Sequence, residues 1–225
     1  MFKKHFLLLS LFFGIVAAGF SSSSSSESCE DDHRGGGGGG HNHGGGGGGR
    51  PNGGCDAGWR RFNRPNGGWC IRSFGGRLTH ASAEAQCQSY GATLSGLQNM
   101  EEARYATNSA LPLMSSSSGS LWLGAHRTNA CNRQRVTTEC TPQNSFRWTD
   151  GSTSGTAGFL WSQAQPDNAY DLKQDCIIIL AARGPLTVKN VVWPENRLDD
   201  VDCALDSTEV SPRALAGYVC GKKAR

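Results

Sequence analysis

Trp122-Leu123-Gly124-Ala125, followed after a loop by Phe146-Arg147-Trp148-Thr149-Asp150-Gly151-Ser152, is the pair of segments from which the chain is read. Each is a short apolar or alternating run closed by turn residues, the pattern of a strand. Cys176–Leu180 and Tyr218-Val219-Cys220 repeat that pattern further along. Upstream the period changes to that of helices. Thr79 caps a run with Ala81, Ala85 and Tyr90 along one face, which stops at Gly91. Asn99 with Glu102 three residues on has the form of a capping box and opens a second helix to about Asn108, ahead of Leu111-Pro112. Earlier still, RPNGG occurs twice, at Arg50–Gly54 and Arg64–Gly68. The second copy carries Asn66-Gly67, a hairpin turn signal, between Trp59–Phe62 and Trp69–Ile71. Cys55 and Cys70 flank this hairpin and could staple it, and the arginines at 60, 61 and 64 read as its solvated face. Two helices, then short strands and long loops, make an α+β domain.

Outside that domain the chain reads differently. Lys3 and Lys4 precede an apolar run from Phe6 to Phe20 that ends in Ala17, Ala18 and Gly19, so residues 1–20 are expected to be a secretory signal peptide. The run is short for a membrane span of roughly 20 residues, and nothing later is long enough. Residues 21–54 hold Ser21–Ser26, Cys29, and two six-glycine tracts around His41-Asn42-His43. They bury too little apolar surface to offset the entropy of ordering them, which makes them a flexible tether. That leaves residues 55–225 as one domain of ordinary size. The formal charge of +3, with no block of five basic residues, excludes a nucleic-acid partner. Nine cysteines behind an export signal point to an oxidising, extracellular compartment. No G-x-S-x-G, H-E-x-x-H or phosphate loop occurs, so an enzyme finds no support. His80 and His126 read as surface or core residues.

Taken in order, the motifs resemble the C-type lectin-like domain. Trp122–Ala125 (WLGA) is similar to the family's WIGL core strand, and Phe146–Ser152 to its second core strand and turn. Gln165-Pro166-Asp167 resembles the sugar-specificity triplet. Gln174-Asp175-Cys176 and Leu198–Cys203 resemble E-D-C and W-N-D-x-x-C, and Gly217–Ala224 (GYVCGKKA) the closing strand. The match runs from Cys55 to about Lys223, and the tether and divergent ligand set resemble secreted lectin-like proteins of invertebrates, with a defence role in view. The resemblance implies a fold of two helices, short antiparallel sheets and long disulfide-braced loops. It also implies the pairings Cys55–Cys70, Cys87–Cys220 and Cys176–Cys203, with Cys131 and Cys140 left for each other. Cys29 then has no partner in the domain, which suggests a disulfide-linked dimer.

The resemblance further implies a calcium ion held by Gln165, Asp167, Gln174, Asp199 and Asp200, and a glycan held through that ion. Calcium takes six to eight hard oxygen ligands, some carried on loops. Gln174 stands where the family has Glu, and Asp199 where it has Asn. The three carboxylates of Asp167, Asp199 and Asp200 keep the usual charge. A cis bond before Pro166 is implied too. The Gln-then-Asp order is that of the galactose/N-acetylgalactosamine type. The usual aromatic platform position is Ala169 here, with Tyr170 beside it as the candidate sugar contact. Ser152–Phe159 holds only Ser, Thr, Gly, Ala and Phe, so no auxiliary calcium site is expected. Trp122, Trp148 and Trp161 read as core. The alternative is a lectin-like interaction module that binds protein or other non-sugar ligands without calcium.

Overall fold

The computed structural model describes residues 54–205 and 211–225. The expected signal peptide, the expected tether apart from Gly54, and Cys29 lie outside the described residues.

The centre of the fold is the long strand β4 (Ser118–Arg127), which carries the WLGA motif. It pairs in parallel with β10 (Leu215–Lys223) and antiparallel with β6 (Cys176–Ala182). The sheet continues outward through β2 (Gly67–Gly75) and β1 (Arg60–Arg64) on one side and β9 (Leu198–Val201) on the other. Two short strands join its flanks: β3 (Thr93–Leu94) on β10, and β5 (Phe146–Trp148) on β4. A separate hairpin, β7 (Leu186–Val188) with β8 (Val191–Trp193), precedes β9. Because side chains alternate along a strand, Leu121, Leu123, Ile177, Ile179 and Val219 fall into one core cluster. Trp122, Ile178, Tyr218 and Cys220 fall into another. Helix α2 (Met100–Ala110) supplies Ala103 and Ala106 to the first, and α1 (His80–Ser89) supplies Ala83 and Cys87 to the second. With both clusters closed over by helices, the central strands read as continuous apolar runs.

The four disulfides are those the family resemblance implied: Cys55–Cys70, Cys87–Cys220, Cys131–Cys140 and Cys176–Cys203. Both helix starts also stand as read, with Thr79 accepting from Ser82 N and Asn99 from the N–H groups of Glu101 and Glu102.

Four local expectations need correction. Arg64 pairs with Gly67, so Pro65 and Asn66, not Asn66-Gly67, form the turn of the first hairpin. The inward face of α1 is His80, Ala83 and Cys87, while Ala81, Ala85 and Tyr90 are exposed, because the Cys87–Cys220 bridge fixes the helix's rotation. Glu102 does not complete a capping box; its Oε2 accepts from Gln98 N at 2.7 Å instead. The reason is the fourth correction. Arg64 is 5% exposed and not solvated. It donates from Nε and Nη2 to Glu102 (2.9 and 2.7 Å), from Nη1 to Asp150 Oδ2 (3.0 Å), and from Nη2 to Gly96 O (3.0 Å). Period two puts Arg60, Phe62 and Arg64 on one side of β1. Arg60, at the strand's start, stays exposed with its guanidinium over the Phe62 and Tyr105 rings, while Arg61 faces the other way and is exposed too.

Asp150 gives this buried node a pH dependence. Burial pushes its carboxyl up, but the N–H groups of Thr153 and Ser152, the Thr153 hydroxyl and the Arg64 charge together hold it below the ordinary value. A depressed folded pKa adds stability above the unfolded-state value of 3.8 that is lost as pH falls through the lower folded value. Asp150→Asn should therefore flatten the fall in melting temperature between pH 5 and pH 2, followed by calorimetry. An unchanged slope would remove Asp150 as its source.

Candidate functional site

The long loop from Ser162 to Asp175 leaves the Trp161–Leu198 bridge and crosses the edge strand β9. Its Gln165–Pro166 peptide is cis. Gln165, Asp167, Tyr170, Gln174 and Asp199 line one cavity of about 570 Å³, shared with Trp193, Lys189, Asp202 and Arg213. The chain thus brings together four of the five expected calcium ligands and the expected aromatic contact. Asp200 is not part of the lining. Adjacent strand residues face opposite ways, so Asp199 opens into the cavity while Asp200 is wholly buried beneath the loop.

Asp200 holds the loop from below. Its Oδ1 accepts the N–H of Asp167 at 3.0 Å, and its Oδ2 accepts the N–H of Asn168 at 2.9 Å. The same Oδ2 takes Arg127 Nη2 at 2.6 Å, a charge-assisted bond. Burial opposes the charge on both partners, pushing the Asp200 carboxyl up and the Arg127 guanidinium down. The two amides and the ion pair counter it. Asn168 begins a left-handed turn in which Tyr170, Asp171 and Leu172 also have positive φ. Such values are uncommon outside glycine; the turn is tied by Gln174 N to Asn168 Oδ1 (3.0 Å) and by Asn168 Nδ2 to Gln134 O (2.9 Å). Tyr170 is left 83% exposed.

The open layer above carries the free oxygens. Asp167 Oδ1 accepts from Ala169 N, and Gln165 Oε1 from Asp167 N. Gln174 donates from Nε2 to the Asp200 carbonyl at 2.7 Å, which aims its amide oxygen elsewhere. That oxygen, Gln174 Oε1, is buried and accepts no hydrogen bond. A buried orphan oxygen on a residue that shares a cavity lining with Asp167 and Asp199 suits a hard cation, so the donor chemistry of Gln165, Asp167, Gln174 and Asp199 fits calcium. Asp199, however, is ion-paired with Arg213, whose guanidinium lies 3.4 Å over the Trp193 ring. Burial pulls Arg213 down, opposed by Tyr170 and Asp167. A calcium ion at this position has to take Asp199 from Arg213.

Arg127, Arg213, Trp193 and Asn168 were not singled out in the sequence. Arg127 left a signal, a charge closing the apolar strand β4; Arg213 left none. His80 and His126, whose rings are 5.0 Å apart, stand beside Cys176, but that sulfur is bound to Cys203 and offers no thiolate.

A mixed sheet with a helix on each side, the four bridges and a ligand-sized cavity under long loops define a C-type lectin-like domain. Residues 60–223 match the family described as C-type lectin domain-containing protein 141/158, and the chain belongs to that family. Versican core protein from Bos taurus and from Homo sapiens is 27% identical over 149 residues, covering 66% of this chain. The matched part is 3% of those proteins' length. Among solved structures, the C-type carbohydrate-recognition domain of cow CD23, with an oligosaccharide present, superposes with a TM-score of 0.49 at 16% identity. That match covers 76% of this chain and 97% of that one. A calcium-independent type II antifreeze protein gives 0.49 at 21% identity, covering 76% and 95%. No helix among the described residues is long and apolar enough to cross a membrane.

Proposed function

We propose that the protein is a secreted, calcium-dependent carbohydrate-binding module, and not an enzyme, that takes galactose-type glycans in the cavity beside Tyr170 and Trp193. The observation that carries the reading is the convergence of Gln165, Asp167, Gln174 and Asp199 on one cavity, with Gln174 Oε1 buried and unpartnered. Those four side chains would hold the calcium ion, which would supply Lewis-acid coordination for two neighbouring sugar hydroxyls. Asp167 and Asp199 accept hydrogen bonds from those hydroxyls, and the exposed Tyr170 ring offers a stacking face for the sugar's apolar side. Pairing through Cys29 would place two such sites on one molecule and raise avidity for clustered glycans. A single sugar covers little apolar surface, so a dissociation constant of about 1 mM is expected.

Calcium titration by calorimetry tests the first step, and a glycan array with and without EDTA the second. Asp167→Ala should weaken calcium binding about tenfold or more and remove sugar binding with it. Gln165→Glu with Asp167→Asn should shift preference toward mannose. Calcium-independent sugar binding would overturn the mechanism. A second reading, recognition of a protein or other non-sugar ligand without calcium, is favoured by one feature: Arg127 and Arg213 neutralise two of the three carboxylates. No heat on calcium addition would select it.

A further inference from the structure

Arg127 reaches more of the binding loop than any other side chain of β4. Its Nε and Nη2 both donate to Gln174 O, at 3.0 and 2.8 Å, and Nη2 also reaches Asp200. Nε lies 3.3 Å from Asp175 Oδ1, an ion pair without hydrogen-bond geometry. Nη1 is 3.5 Å from Gln134 O, in the loop closed by Cys131–Cys140. The ring of Phe146 closes the other side, 4.5 Å from the guanidinium carbon. One buried cation therefore gathers β5, the disulfide loop, the start of β6, and, through Asp200, the backbone of Asp167 and Asn168.

We propose that Arg127 is the internal cation that organises the binding loop, so that the loop is preformed without any metal. The buried Asp200 carboxylate that accepts the two loop amides needs a positive charge beside it. A divalent ion could supply that charge, but here a side chain with five fixed donors does so. The site then has two layers: a buried one, Arg127 with Asp200, that sets the backbone, and an open one, Gln165, Asp167, Gln174 and Asp199, left for ligands. Asp200 belongs to the first layer, and Arg127 is a positioning residue for the second. Binding in such a site is not charged the cost of ordering the loop.

The inference takes the site from the reading above, but its test needs neither sugar nor bound calcium. Amide hydrogen exchange is followed at Asp167, Asn168 and Gln174 on the wild-type chain in EDTA, the wild-type chain in calcium, and Arg127→Met in EDTA. The wild-type amides should agree within about twofold between the two conditions. Arg127→Met should speed all three by at least about tenfold while the β2–β10 amides keep their protection. Arg127→Lys keeps the charge but cannot span Gln174 O and Asp200 together, and should fall between. If Arg127→Met does not fold, Arg127→Met/Asp200→Asn removes the uncompensated charge. That variant should fold and still lose protection at Gln174, whose acceptor, Asn168 Oδ1, neither substitution removes. Wild-type exchange that rises in EDTA as far as in Arg127→Met, or full protection in either variant, overturns the proposal. Failure to bind sugar leaves it standing.

Discussion

Arg64→Met is expected to destabilise the domain by about 3–5 kcal/mol, the cost of leaving a buried charge without its partner. Two carboxylates depend on that guanidinium. Glu102 and Asp150 have side chains 2% and 0% exposed, and both face Arg64 at 3.0 Å or less. Removing the arginine strands two negative charges where water cannot reach them. The node joins β1, the start of α2 and the turn after β5, so its loss is felt globally and not as fraying. Urea unfolding measures it, with exposed Arg61→Met as the control, for which a change within about 0.5 kcal/mol is expected. A loss below about 1 kcal/mol for Arg64→Met would show that the three groups relax to solvent.

Replacing Cys87 and Cys220 together by serine is expected to cost about 5 kcal/mol on the loop-entropy estimate, because the bridge closes most of the domain. Its sequence separation is 133 residues. The same change at Cys131 and Cys140, separated by 9, should cost only about 2.5–3 kcal/mol. Small domains are stable by roughly 5–15 kcal/mol, so the first pair can abolish folding and the second cannot. Equal effects from the two pairs, read by urea unfolding, would show that native-state strain and not chain entropy sets their contribution.

Much of the fold was legible because it is written in local signals. The apolar runs at Leu121–Leu123 and Cys176–Leu180, the caps at Thr79 and Asn99, and the ordered motifs each carry their own pattern. What was not legible depends on partners distant in sequence. Arg64 looked like a surface residue because its neighbours Arg60 and Arg61 are; its period-two match to Phe62 is shared by exposed Arg60, so what buries it is the pair of distant carboxylates, Glu102 and Asp150. The face of α1 was misread because alanines outnumber the one residue, Cys87, whose bridge decides the rotation. The site divides the same way. Gln165, Asp167, Gln174 and Asp199 were found from motifs and meet on one cavity. The cations that face them, Arg127 and Arg213, come from other segments, and no spacing rule links them to the carboxylates.

The domain's two described ends meet. Arg225 N donates to Gly54 O at 2.8 Å, and Ala224 N to Gly68 O at 2.9 Å. A side chain at Gly54, where φ is +97°, would run into the Arg225 carbonyl, so the approach depends on that glycine. Residues 54 and 225 therefore lie side by side, next to the hairpin of β1 and β2. The same adjacency makes the fold a natural subject for circular permutation: a short peptide joining 225 to 54 would close the chain into a ring, free to be reopened at an exposed turn elsewhere.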